Sequence, residues 1–160
     1  TPQVSESEAT VNVQVEMACY TNQKTLKTEL VITDAAGNEV ARQTEDLVFN
    51  RKMRTCEYPL KEVKLTNPKL WDCEHPHLYT AKVTIYHENG EVADCVTERF
   101  GVRSLEFSPK FGMKLNGKKI LLKGIANHHS LGALGSAAYP RAIEKRIQML
   151  IFSNIKSKSH

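Results

Sequence analysis

The chain has no long apolar run: nothing in its 160 residues approaches the roughly 18 consecutive apolar residues of a membrane span, so no membrane partner is expected. It has four cysteines, Cys19, Cys56, Cys73 and Cys95, but no pair at the close spacing of zinc ligands. A structural zinc is therefore not expected. Each cysteine lies in or beside an expected strand, where a reduced, buried thiol is the default reading. One cross-sheet disulfide stays open, and the sequence does not choose its partners. Aromatics are scarce, with five Tyr, five Phe and one Trp, and their placement on strands argues against a base-stacking platform. The net charge of +4 comes from Lys and Arg interleaved with Asp and Glu. Lys156-Ser157-Lys158 is the one local concentration, so a mixed-charge solvated surface is favoured over a nucleic-acid stripe. The polar, acidic start Thr1–Glu8 is unlike a signal peptide. The chain reads as the middle of a longer protein, so this says nothing of the parent's compartment.

What is there is an ordinary globular composition, 41% hydrophobic and 25% charged. The first hundred residues alternate with period two between turn signals, the pattern of an all-β sandwich. Val11, Val13, Val15 and Met17 alternate with Asn12, Gln14 and Glu16; Leu26, Leu30 and Ile32 share a face; Tyr79, Ala81, Val83 and Ile85 oppose Thr80, Lys82 and Thr84. Asp34–Asn38 and Glu88-Asn89-Gly90 are turns, the second an Asn-Gly hairpin. Val92, Val96 and Phe100 share a face of the returning strand. Some seven short strands make an immunoglobulin-like count.

The pattern changes near Arg103–Pro109, which sets expected domains of 1–105 and 106–160. The second part holds an Asn116-Gly117 hairpin, a buried-type strand at Ile120-Leu121-Leu122, polar residues Lys123–His129, a Gly-rich loop and a helix from Pro140 to about Phe152. Proline suits the first helical turn, where a missing N–H costs nothing. Ile143, Ile147, Leu150 and Ile151 form one stripe. A strand, polar groups at its C-terminal end and an amphipathic helix read as the opening of an α/β barrel, in which chemistry sits at strand C-termini. The expected fold is thus mainly β, an immunoglobulin-like antiparallel β-sandwich followed by the start of a truncated barrel.

Four motifs in order carry a family resemblance. Trp71-Asp72-Cys73-Glu74-His75-Pro76-His77-Leu78-Tyr79 is similar to W-x-x-E-x-P-x-L-Y, and Glu98–Arg103 to E-x-F-G-[FVI]-R. Phe111–Gly124 resembles the hairpin and first strand of a catalytic barrel, and His128–Gly135 a segment found in one branch, with Ser130 where Asp is usual. Together, over residues 60–155, they resemble glycoside hydrolase family 2, most specifically its β-galactosidase-type enzymes. The resemblance implies a larger parent that cleaves terminal β-glycosides with retention. Such chemistry uses two glutamates, acid/base and nucleophile, roughly 5–5.5 Å apart. In the family both lie on later barrel strands, so no catalytic residue is assigned here and the chain is expected to be inactive alone, as scaffold and first pocket wall. The substrate-binding candidates that the resemblance supplies are His128, after the first barrel strand, and His160, matching the second-strand histidine. An imidazole there can donate to a sugar oxygen. Asn154–His160 departs from the family's N-x-[apolar]-R-[small]-[small]-H by one residue around Lys156, which leaves that strand's register open. A β-galactoside or related glycan is the implied partner, with no cofactor and no metal.

Other residues read more plainly. Asn127 and His129 are neighbours rather than ligands. His75 and His77 flank Pro76 without a third ligand at motif spacing, an exposed loop pair. Trp71 and Tyr79 fall where the family packs its sandwich, which favours core and corner roles over sugar stacking. Gly132 and Gly135 lack the spacing of a phosphate loop. Glu144 sits mid-helix among basic neighbours, a surface pair. The rival reading is a stand-alone β-sandwich module binding glycans or protein; a β-glucuronidase- or β-mannosidase-type member is a third. The apolar helix stripe and unpaired strands also invite self-association into a homo-oligomer.

Overall fold

The computed structural model describes residues 1–18, 25–48, 55–122, 135 and 139–157; for Cys56 and 152–157 only the backbone is described. The chain divides into two compact units, Thr1–Leu121 and Leu122–His160. In the first, strands β1 (Gln3–Val4), β2 (Glu8–Val11), β3 (Gln14–Ala18), β4 (Thr25–Thr33), β5 (Glu39–Val48), β6 (Thr55–Pro59), β7 (Val63–Thr66), β8 (Tyr79–Tyr86) and β9 (Val92–Phe100) build the sandwich. All pairings are antiparallel: β5-β4-β8-β9 form one sheet, β1-β2-β7 and β3-β6 the other side. The Leu60 amide donates to the Val13 carbonyl (2.9 Å), stitching β2–β3 and β6–β7 into two continuous lanes. Among the described residues the count of lanes is then seven, matching the count that the alternation implies.

The alternation becomes packing most completely in β4, whose Leu26, Thr28, Leu30 and Ile32 are all buried. Leu30 and Ile32 meet Leu47 of β5, Ala9 and Val11 of β2, Leu65 of β7 and Tyr79 of β8 in one cluster. Removing such side chains from water contributes roughly 1.5–3 kcal/mol each. Thr28 interrupts this apolar row: its hydroxyl is buried with no hydrogen-bond partner among the described residues. The Asp34–Asn38 turn is closed by the Asp34 carboxylate, which accepts from the amides of Ala36 and Asn38 (2.9 Å each), with Gly37 at φ +85°.

The two Asn-Gly turns differ. At Asn116-Gly117 both residues take positive φ (+50° and +75°), as a two-residue hairpin requires. At Asn89-Gly90 only the glycine does, and the β8–β9 register shifts beside it, at Ile85/Tyr86. Beyond the sandwich, β10 (Leu105–Ser108), β11 (Gly112–Leu115) and β12 (Lys118–Ile120) form a separate three-stranded sheet. The hairpin β11–β12 was legible; β10 was hidden because Ser108 and Pro109 read as a break, although Leu105 and Phe107 alternate with Glu106 and Ser108.

Three sequence expectations change. The buried-type strand ends at Ile120, and Leu121 and Leu122 are 80% and 70% exposed, because no described strand pairs beyond β12. The default of buried thiols fails for Cys73, in an exposed loop, and Cys95, on the solvent face of β9; both are free and exposed. Cys19 and the side chain of Cys56 lie outside the described residues. In the second unit the helix α1 (Pro140–Ser157) begins at the expected proline and runs further than Phe152. The Tyr139 carbonyl accepts from Ala142 and Ile143, and Glu144 pairs with Arg141 (2.7 Å), one turn before it. Its Ile143, Ile147, Leu150 and Ile151 are exposed, and the sheet that such a stripe would cover is not among the described residues. No helix among the described residues is long and apolar enough to cross a membrane.

The core predicts two opposite responses within one strand. Thr28→Val removes an unpaired buried hydroxyl at constant shape and is expected to raise the unfolding free energy by about 1 kcal/mol. Leu30→Ala is expected to lower it by about 3 kcal/mol. Urea denaturation of both variants measures the contrast.

Candidate functional site

His128 and His160, and their neighbours Asn127 and His129, lie outside the described residues, so the structure neither brings them together nor separates them. Of the Gly-rich loop, only Gly135 is described, at φ +65°. What is described is the joint from which this segment departs, built from three stretches far apart in sequence.

Trp71 is its centre. The Trp71 amide donates to the Val102 carbonyl (2.8 Å), and Val102 is fully buried. Gly101 lies flat against the indole: a Cβ there would come within 2.9 Å of Trp71 Cβ and Cγ. The Arg103 guanidinium sits 4.6 Å above the ring, a cation–π contact. Asn116, at the tip of the β11–β12 hairpin, ties this strand exit down from the other side. Its Nδ2 donates to the Trp71 carbonyl (3.0 Å), its Oδ1 accepts from the Ser104 amide (2.9 Å), and its own amide donates to the Ser104 carbonyl (3.0 Å). The turn therefore holds the hairpin to the sandwich through three hydrogen bonds from one residue. Sequence reading took Asn116 only as a turn former; its left-handed φ gave the signal, its bridging role did not. Tyr79 is the corner: its buried ring stacks on Phe100 (5.8 Å) and its hydroxyl accepts from the Lys69 amide (2.8 Å). Tyr79 is thus a packing residue, and the half-buried Trp71 ring is engaged by Gly101 and Arg103.

The loop between them is held by charge. The Asp72 carboxylate accepts from the amides of His75 and Glu74, and these bonds, the His75 amide first, hold its pKa below the ordinary aspartate value against a smaller desolvation effect. His75 and His77 stack (6.3 Å), with His75 Nδ1 3.4 Å from Asp72. No group of three metal-ligating side chains occurs among the described residues. On the outer sheet face Arg42 bridges Glu29 and Glu39, and the Tyr86 hydroxyl donates to Glu29 (3.2 Å). Desolvation, then the Glu29 charge, raises the Tyr86 pKa, and its bonds to Glu39 and Glu29 raise that of Arg42. This network was not visible in the sequence, since Glu29 and Arg42 meet only through the β4–β5 register.

Residues 1–103 match the family model described as glycosyl hydrolases, family 2. The chain belongs to that family. Across 137 residues, 86% of the chain, this family 2 chain is 39% identical to a putative β-glucuronidase of Formosa agariphila, and across 147 residues, 92% of the chain, 33% identical to a β-galactosidase of Bacteroides ovatus. It spans only 16% and 15% of the length of these two curated relatives. A crystal structure of a family 2 member from Bacteroides cellulosilyticus superposes with a TM-score of 0.85 at 29% identity, covering 93% of this chain and 19% of that one. The mainly β, sandwich-containing fold that the alternation and the motifs implied is the family's own.

Two tests follow from the joint. Gly101→Ala is expected to cost about 2 kcal/mol through the overpacked indole and to shift the fluorescence of Trp71, the chain's one tryptophan; an unchanged spectrum with unchanged stability counts against the close approach. Because the folded pKa of Asp72 is lowered, its contribution is present above the ordinary aspartate range and is lost as pH falls through the lowered value. The Glu74 and His75 amide resonances should therefore move with a midpoint below that of an unperturbed aspartate.

Proposed function

We propose that the chain is part of a retaining, β-galactosidase-type glycoside hydrolase, in which residues 1–105 brace a barrel begun by 106–160. The observation that carries this reading is the joint: the W-x-x-E-x-P, F-G-V-R and Asn-Gly motifs, up to 45 residues apart, converge on Trp71 in one hydrogen-bonded cluster. A rigid joint suits a scaffold whose task is to hold pocket walls in fixed geometry, since precise placement of reacting groups is worth several kcal/mol of barrier. In this reading His128 and His160 line the sugar pocket and donate to sugar oxygens. The glutamate acid/base and nucleophile belong to the remainder of the parent enzyme, so this chain alone turns nothing over.

The 39% identity to a relative named putative β-glucuronidase favours a second reading, a parent acting on β-glucuronides. The two readings part in one experiment. The parent enzyme is assayed on 4-nitrophenyl β-galactoside and on the β-glucuronide, and the isolated 160-residue chain on both. The expected outcome is galactoside turnover by the parent, none by the chain, and about a hundredfold lower kcat/KM for His128→Ala in the parent. Preference for the glucuronide would transfer the assignment, and turnover by a contaminant-free sample of the chain would overturn the scaffold reading.

A further inference from the structure

The two layers of the sandwich differ in width, and the difference leaves one side open. The four-stranded sheet ends at β9 and the facing layer ends at β3, each with a backbone edge that no described strand pairs. The register places Asp94, Val96 and Glu98 opposite Ile85, Val83 and Ala81. Paired residues of antiparallel strands share a face, so these three point toward the interior side, yet Val96 remains 54% exposed because nothing lies over it. Between the two edges runs a groove of about 190 Å³, floored by Val15, Val83 and Ile85 and rimmed by Glu16, Asp94 and Glu98. No Lys, Arg or His lines it, and no described cation pairs with the three carboxylates.

We propose that this open side binds an extended polypeptide segment that adds to β9 as a strand and carries an apolar side chain flanked, two positions to either side, by basic ones. Unpaired N–H and C=O groups along an edge give such a segment its main-chain hydrogen bonds, and pockets for alternate side chains give it specificity; on β9 the Cys95 amide is held by the Asp94 carboxylate (2.7 Å), a bond the incoming strand would replace. Every second side chain of the added strand points inward, and the one opposite Val96 meets the apolar floor. Asp94 and Glu98 lie on that same face, so the inward-pointing residues opposite them are required to be cations, because like charge there would be repelled as the segment approaches. The groove admits aliphatic side chains but not a helix, whose diameter with side chains is about 10–12 Å. A second copy of this chain does not suit it: antiparallel pairing of two β9 strands about Val96 sets Asp94 of one directly against Glu98 of the other.

The test uses the full 160-residue chain, isotope-labelled, titrated with the soluble peptide Thr-Lys-Thr-Val-Thr-Lys-Thr and with its counterpart bearing glutamate for lysine, at about 50 mM salt, where surface charge is only partly screened. The expected result is saturable amide shifts confined to residues 14–17 and 93–98 with the lysine peptide alone. The exposed double substitution Asp94→Lys/Glu98→Lys should weaken that binding by about tenfold or more and create affinity for the glutamate peptide. Should the double variant not fold, Glu16→Lys on the opposite edge reads the same change of sign. Absence of shifts at millimolar peptide, equal binding of both peptides, or shifts elsewhere on the sandwich would overturn the proposal. Concentration-dependent dimerisation that broadens the β9 amides would overturn it too, by making a second copy the occupant.

Discussion

The placement of residues 101–120 depends on the contact between a tryptophan and a glycine. Gly101 has no side chain, and only for that reason can the chain leaving β9 lie against the Trp71 indole and let Val102 accept from the Trp71 amide. That close approach fixes where Arg103 and Ser104 emerge, and Ser104 in turn is held at amide and carbonyl by Asn116. One backbone-to-ring approach therefore sets the position of a hairpin that begins at Gly112. Flexible connections are the usual expectation between neighbouring structural layers; here the connection is as well bonded as a strand pair.

Under the function proposed above, the sandwich contributes to chemistry only through the placement of other elements. The joint does this with polar bonds of fixed direction, whereas a greasy interface would tolerate sliding. Asn116 is suited to it because its side chain offers donor and acceptor together, and because asparagine tolerates the left-handed backbone at a tight turn.

Much of the sandwich was legible, and for a physical reason. Strand alternation reports burial wherever one face is covered, so β4 and β8 were visible in Leu26, Leu30, Ile32, Tyr79 and Ala81. It fails where coverage fails: β9 alternates as regularly, yet Val96 stays largely exposed because the facing layer is narrower, and Val92, expected on the same face as Val96, pairs with Tyr86 on the outer face because the register shifts at Ile85/Tyr86. The same reason undid Leu121-Leu122, since an apolar pair states what a strand needs and not whether a neighbour supplies it. Cys95 was misjudged because a thiol's burial depends on which face the register assigns, and register is a property of pairs. Of the candidate site, the motif residues around Trp71 were recognisable one by one, but their meeting was not, because hydrogen bonds between residues 45 positions apart leave no periodicity. His128 and His160 rest on resemblance.

The connectivity of the main sheet carries one more consequence. Its four strands are two sequence-local hairpins, β4–β5 and β8–β9, joined along the seam β4–β8, which pairs Lys27–Thr33 with Thr80–Tyr86. Closing that seam loops out some thirty residues between the hairpins, and the entropy of closure grows only slowly with loop length. Lengthening the exposed turns of the looped stretch, outside β6, β7 and the Trp71 loop, is therefore thermodynamically mild, whereas any change that loosens the β4 face of the seam acts on the one non-local pairing that turns two marginal ribbons into a sheet.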